Sequence, residues 1–131
     1  MIEYQYIRTP QDADRFIEDV NGLHDGYVTH FEFVNDGVLQ CDDGLFFDYS
    51  KVVLKMKVFV TSLEGHPTVE IIFRNVHRVQ FYSFHFSDIC DSSFAFREHS
   101  IIWADSHAAD EELLVNCTFC EAESIAWRWN D

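Results

Sequence analysis

The 131-residue chain predicts an α+β fold: a mostly antiparallel β-sheet or sandwich with one N-terminal helix packed at its side. Three observations carry that expectation. One early stretch has a helix start signal, an apolar period near 3.6 and a stop. The residues after it alternate at a period of two, in short runs broken by Gly-, Asn- and Asp-containing turns. Finally, 47% hydrophobic and 16% aromatic residues supply ample core for a chain of this length, so residues 1–131 read as a single domain without a linker.

The helix is placed at Pro10–Val20. Thr9 precedes Pro10, and proline suits the first helical position because its missing N–H would be unsatisfied there anyway. Asp12 and Asp14 fall where the helix dipole favours negative charge. Phe16, Ile17 and Val20 form an apolar stripe, and Asn21-Gly22 ends it. The next run places Tyr27, Thr29, Phe31 and Phe33 on one face of a strand, and Asn35-Asp36-Gly37 turns it as a hairpin into Val38-Leu39-Gln40-Cys41. Asp42-Asp43-Gly44 is a second turn, into a strand over 45–49. The clearest alternation comes next: Val52, Leu54, Met56, Val58 and Val60 face one way, and Lys51, Lys55 and Lys57 the other. Gly65-His66-Pro67 turns the chain into 68–74, and 76–86 continues extended. Further short strands are expected at 94–97, 100–104, 113–120 and 124–129, with 106–114 as a charged loop.

Charge narrows the partners. A formal charge of -14, from 23 acids against nine Lys and Arg, is the wrong field for a phosphate backbone, so no nucleic-acid partner is expected. It suits a basic protein, whose encounter it would accelerate, and it also favours solubility. No apolar run is long enough to span a bilayer and the N-terminus lacks signal-peptide character, which predicts a cytoplasmic protein with no membrane partner. Cys41, Cys90, Cys117 and Cys120 are then expected as thiols. Cys117-x-x-Cys120 lacks the second pair of a zinc ribbon and the helix N-terminus of a redox motif, and reads as two buried sulfurs.

Two segments carry candidate binding residues. His24 and Asp25, in Leu23-His24-Asp25-Gly26 at the helix-to-strand junction, join an imidazole to a carboxylate, as a general base or a small-ligand or metal site would require; the plainer reading is a turn. Trp127, Arg128 and Trp129 near the C-terminus put two indoles on one strand face, able to stack on a partner or to close the core beneath the helix. The seven histidines have no metal-ligand spacing. No nucleophile elbow, kinase set or phosphate loop occurs, so no catalytic residue, cofactor or metal is assigned and no enzyme is predicted. Lys51, Lys55 and Lys57 facing an acidic patch on a second copy offer a route to a homodimer.

Leu23-His24-Asp25-Gly26-Tyr27-Val28, Ile72-Phe73-Arg74-Asn75-Val76 and Ile125-Ala126-Trp127-Arg128-Trp129 together resemble small uncharacterised bacterial proteins that include immunity proteins of toxin systems. In that group a His-Asp dipeptide opens the first long strand, a Phe-x-x-Val element ends a central one and a Trp-rich strand closes the chain. The resemblance implies a cytoplasmic protein that binds and neutralises a toxin, and it transfers no catalytic residues.

Overall fold

The structure is a computed structural model and describes residues 3–48, 51–82 and 88–130. Helix α1 spans Pro10–Val20, as its local signals require. Thr9 caps it: its hydroxyl accepts from the Asp12 N–H at 3.2 Å, and the Asp12 carboxylate accepts from the N–H groups of Arg8 (3.0 Å) and Thr9 (3.2 Å). Those donors hold the Asp12 carboxyl below its ordinary pKa. Asn21, left-handed at φ 53°, stops the helix. One face, Ala13, Phe16 and Val20, is buried.

Seven strands form one sheet: β1 (Gln5–Tyr6), β2 (Gly26–Asn35), β5 (Val52–Val60), β6 (Thr68–Gln80), β7 (Ser93–Phe96), β8 (Ile101–Ala104) and β9 (Phe119–Asn130). Their order is β2-β5-β6-β9-β8-β7 and every pairing is antiparallel. Since β6 occupies one side of β9 over its length, β8 and β1 share the other side, end to end. Among the described residues, strands β3 (Val38–Cys41) and β4 (Gly44–Phe47) pair only with each other. The fold is therefore α+β, a main antiparallel sheet with one N-terminal helix and a separate two-stranded ribbon.

Several expected boundaries are corrected. The hairpin predicted from β2 into β3 does not form: β2 pairs with β5, β3 with β4, and the reversal lies at Asp42-Asp43. Gly37 is part of a neck instead, where the Asp48 N–H donates to the Gly37 carbonyl at 2.7 Å. In β2 the register shifts between Val28 and His30, so Thr29 is an extra residue. Tyr27, opposite Phe59, then faces away from Phe31 and Phe33, which oppose Met56 and Leu54. The runs 68–74 and 76–86 join as β6, bent at Asn75 (φ 55°) and shifted in register between Val76 and Arg78. Residues 83–86 of that run, and Tyr49 of the run before β5, lie outside the described residues. Within the expected loop 106–114, Glu111–Leu114 form α2, because Asp110 caps the turn by accepting from the Leu113 N–H at 3.4 Å. Of the strand expected at 113–120 only Phe119 and Cys120 belong to a strand, β9, which also absorbs 124–129.

Two apolar clusters lie on opposite sides of the sheet. The larger joins Phe16 and Val20 of α1 to Leu54, Met56, Val58, Ile71, Phe73, Trp103, Ile125 and Trp127. The smaller packs Ile102, Ala104 and Phe119 under Ala109, Leu114 and Cys117. The alternation read in β5 is observed, with Val52, Leu54, Met56, Val58 and Val60 buried and the intervening residues half-buried. Gly26 opens β2 where only a bare backbone fits: a Cβ there would stand 2.6 Å from Val58 Cγ1 and 2.7 Å from the Leu23 carbonyl oxygen. Gly26→Ala is expected to cost about 1–3 kcal/mol in urea unfolding; an unchanged midpoint would contradict this close approach.

Candidate functional site

The His24 and Asp25 junction is held tightly. Asn21, Gly22, Leu23 and Asp25 all have left-handed φ values of 53–61°, a conformation costly for leucine and aspartate. Partners from distant segments fix it. Ser92 Oγ donates to the Gly22 carbonyl at 2.8 Å and accepts from Trp103 Nε1 at 3.0 Å, and Thr61 Oγ1 donates to the Asp25 carbonyl at 2.6 Å. Ile89 bridges backbone-to-backbone with Asp25 and Gly26 at 3.0 Å each.

His24 is exposed on this frame. Its Nδ1 lies 2.8 Å from the Cys90 carbonyl and so carries the proton, while Nε2 lies 3.5 Å from Asp25 Oδ2. The carbonyl first, and then the Asp25 carboxylate, raise the imidazole pKa. That shift favours the imidazolium over the neutral ring that a metal ligand needs. Asp105 accepts from the N–H groups of Cys90 (2.9 Å) and Asp91 (3.2 Å), with burial pushing its carboxyl up. The Cys90 thiol is pushed up as well, by burial and then by Asp105, the reverse of an activated nucleophile. Among the described residues no group of three or more His, Cys, Asp or Glu side chains is placed to hold a metal ion. The other histidines with an acidic partner are scattered, His30 with Glu32, His77 with Glu123 and His99 with Glu98; His85 lies outside the described residues. The four cysteines are thiols, Cys117 and Cys120 buried and Cys41 and Cys90 exposed.

The two indoles sit on the core side. Trp127 is 2% exposed and meets Phe16 and Trp129 edge-on, each at 5.3 Å between centroids, so neither of its faces is open to a ligand. Trp129 is half-buried against the same cluster. Arg128 points to the opposite side, where its Nε donates to Glu70 Oε2 at 2.6 Å and its guanidinium lies 4.5 Å from the Tyr4 ring centre. The Tyr4 hydroxyl donates to the same Glu70 oxygen at 2.7 Å. Burial pushes the Glu70 carboxyl up, but the hydrogen bonds from Tyr4 and Arg128 more than reverse it, and the net shift is downward.

Two concavities are mixed in character. A groove of about 490 Å³, where the turn before β8 and the residues after β1 meet the edge of β9, is lined by Arg8, Arg97, His99, Glu98 and Glu123. Arg97 already donates to Glu111 Oε1 at 2.6 Å. A smaller hollow of about 250 Å³ lies along β2 beside Val28, Phe31 and Phe81.

The surface that stands out is the β3–β4 hairpin. Val38, Leu39, Leu45, Phe46 and Phe47 are 48–67% exposed, and Phe33 at the end of β2 is 51% exposed. Register explains why neither hairpin face is polar: Val38, Phe47 and Leu45 share one face, Leu39 and Phe46 the other. All charges from Asn35 to Asp48 are aspartates, Asp36, Asp42, Asp43 and Asp48. Exposed apolar clusters rimmed by polar residues mark interaction sites. A sequence signal existed, since the adjacent apolar pairs Val38-Leu39 and Phe46-Phe47 leave no polar face under any register.

Compared with known proteins, the chain matches no family model, no curated protein and no solved structure.

Proposed function

We propose that this chain is an acidic protein-binding module that works in the cytoplasm, of the immunity-like kind that occupies and inhibits a basic toxin, and that the β3–β4 hairpin is its recognition element. The observation that carries the reading is the exposed apolar hairpin whose own charges are all aspartates. An apolar centre supplies affinity on desolvation, and the aspartates select a cationic partner and speed encounter. A two-stranded ribbon is marginal alone, so packing against a partner would also stabilise the hairpin. Free thiols suit a reducing compartment, and no helix among the described residues is long and apolar enough to cross a membrane.

The test is a photo-reactive residue at Leu45 in cells, with adducts identified by mass spectrometry and the purified partner titrated against wild type and Leu45→Asp/Phe46→Asp. A basic partner that binds the double variant at least roughly tenfold more weakly, and wild type less tightly as salt rises, is expected. No adduct at that position, an acidic partner, or equal binding by the variant would overturn the reading.

A further inference from the structure

The alternation that buries one side of β5 lays a second, opposite surface on the other side of the sheet. Lys57, Glu70 and Arg128 form one row across β5, β6 and β9; Lys55, Ile72 and Ala126 the next; Val53, Arg74 and Ser124 the third. Four of the chain's nine Lys and Arg thus share three neighbouring strands of a protein with 23 acids. Arg74 and Lys55 are diagonal neighbours, with Cα atoms about 7–8 Å apart, a span one carboxylate can bridge between two long side chains.

The acids of this patch are already engaged. Glu70 holds Tyr4 and Arg128 on one oxygen, and Glu32, opposite Lys55 on β2, is 3.2 Å from His30 Nε2. Among the described residues Lys55, Lys57 and Arg74 make no ion pair, and Arg74 Nη1 is buried without an acceptor. Leaving such a donor unmet is costly, and an incoming anion that draws the guanidinium outward would remove that cost. Lys55, Lys57, Arg74 and Arg128 are all only half-buried.

We infer that this face docks an acidic segment of a partner protein, carboxylates settling between Arg74 and Lys55 and on Lys57. A two-fold axis through the centre of this face would set its cations against like charges, and a second copy that brings an acidic face to it instead is an outcome of the test below. The occupant is not a nucleic-acid strand. Its closely spaced charges would run beyond the patch into a field set by -14 overall, and the rings that would stack bases are taken: Tyr4 lies against two guanidiniums, and Phe59 is edge-on to His66 at 5.9 Å. A short acidic segment needs only the patch, since at physiological salt charges act over about 8 Å. The inference is independent of the hairpin and fails separately from it.

Fluorescence anisotropy of a labelled oligoglutamate peptide at about 0.15 M salt tests it. Wild type and Leu45→Asp/Phe46→Asp should bind alike, and Lys55→Glu/Lys57→Glu and Arg74→Gln at least roughly tenfold more weakly. If the charge reversal lowers the melting temperature, Lys55→Gln/Lys57→Gln replaces it. No binding by wild type, equal binding by the sheet-face variants, or tighter binding of an oligothymidylate of equal charge would overturn it. So would self-association that the charge reversals abolish.

Discussion

Phe16→Ala will lower the unfolding free energy by about 3–5 kcal/mol, the cost of emptying a buried aromatic site that cannot collapse. Phe16 is fully buried, edge-on to Phe94 at 5.6 Å and to Trp127 at 5.3 Å. It is the one large side chain on the buried face of α1, between Ala13 and Val20. Deleting its ring removes the edge-on contacts that α1 makes with Phe94 of β7 and Trp127 of β9. The cap at Thr9 would remain, but an N-cap is worth only about 1 kcal/mol, so local signals cannot hold the helix in place. For a domain of this size the loss lowers the melting temperature by roughly 10–20 °C, a large share of ordinary stability. Urea unfolding with the wild-type slope and a much lower midpoint is the expected result; a loss under about 1 kcal/mol would mean that α1 does not close this core.

That a helix should sit there was legible because every signal for it is local. Thr9-Pro10, Asp12, the stripe of Phe16, Ile17 and Val20, and Asn21 act within a turn or two of one another, and α1 has the boundaries they predict. The faces of β5 were legible for the same reason, since alternation needs no knowledge of a partner strand. Sequence reading failed where pairing is decided at a distance. Nothing between Tyr27 and Cys41 says that β2 belongs with β5 rather than with β3, nor that Thr29 is an extra residue that turns Tyr27 away from Phe31. The candidate site divides in the same way. His24 and Asp25 are neighbours in the chain, but the Cys90 carbonyl that fixes the imidazole is 66 residues on. The alternation assigns Lys55 and Lys57 to one face, while Arg74 and Arg128 join them only through the register of β6 and β9.

The charge pattern also gains meaning only in three dimensions. As composition, -14 describes a uniformly acidic body. On the fold, aspartates collect around an apolar hairpin while the sheet face across β5, β6 and β9 keeps four cations. If both surfaces bind as proposed, their opposite signs would suit a partner that is itself charged unevenly, because each would reject the wrong orientation as well as the wrong molecule.

Removing the guanidinium of Arg128 is the second large effect expected, and its pH dependence identifies the cause. Glu70 is 4% exposed, so its charge is tolerable only because Tyr4 and Arg128 bind it. Breaking a fully buried pair costs about 3–5 kcal/mol. The Arg128 side chain is 32% exposed, so water takes over part of its role and about 2–3 kcal/mol is expected for Arg128→Ala at neutral pH. In wild type the Glu70 pKa is lowered on folding. Its contribution is therefore present above the unfolded value of about 4.3 and is lost as pH falls through the lower folded value. In Arg128→Ala burial is opposed only by the Tyr4 hydrogen bond and the weaker pull of Lys55, so the folded pKa of Glu70 is expected to rise from its wild-type position. The variant's penalty is then greatest at neutral pH and shrinks as acid protonates Glu70. Urea unfolding of both proteins at pH 7 and at about pH 4 measures this directly, and Glu70→Gln in the variant background should recover part of the neutral-pH loss. A penalty of the same size at both pH values would assign the loss to Arg128 packing on Tyr4 rather than to the stranded carboxylate.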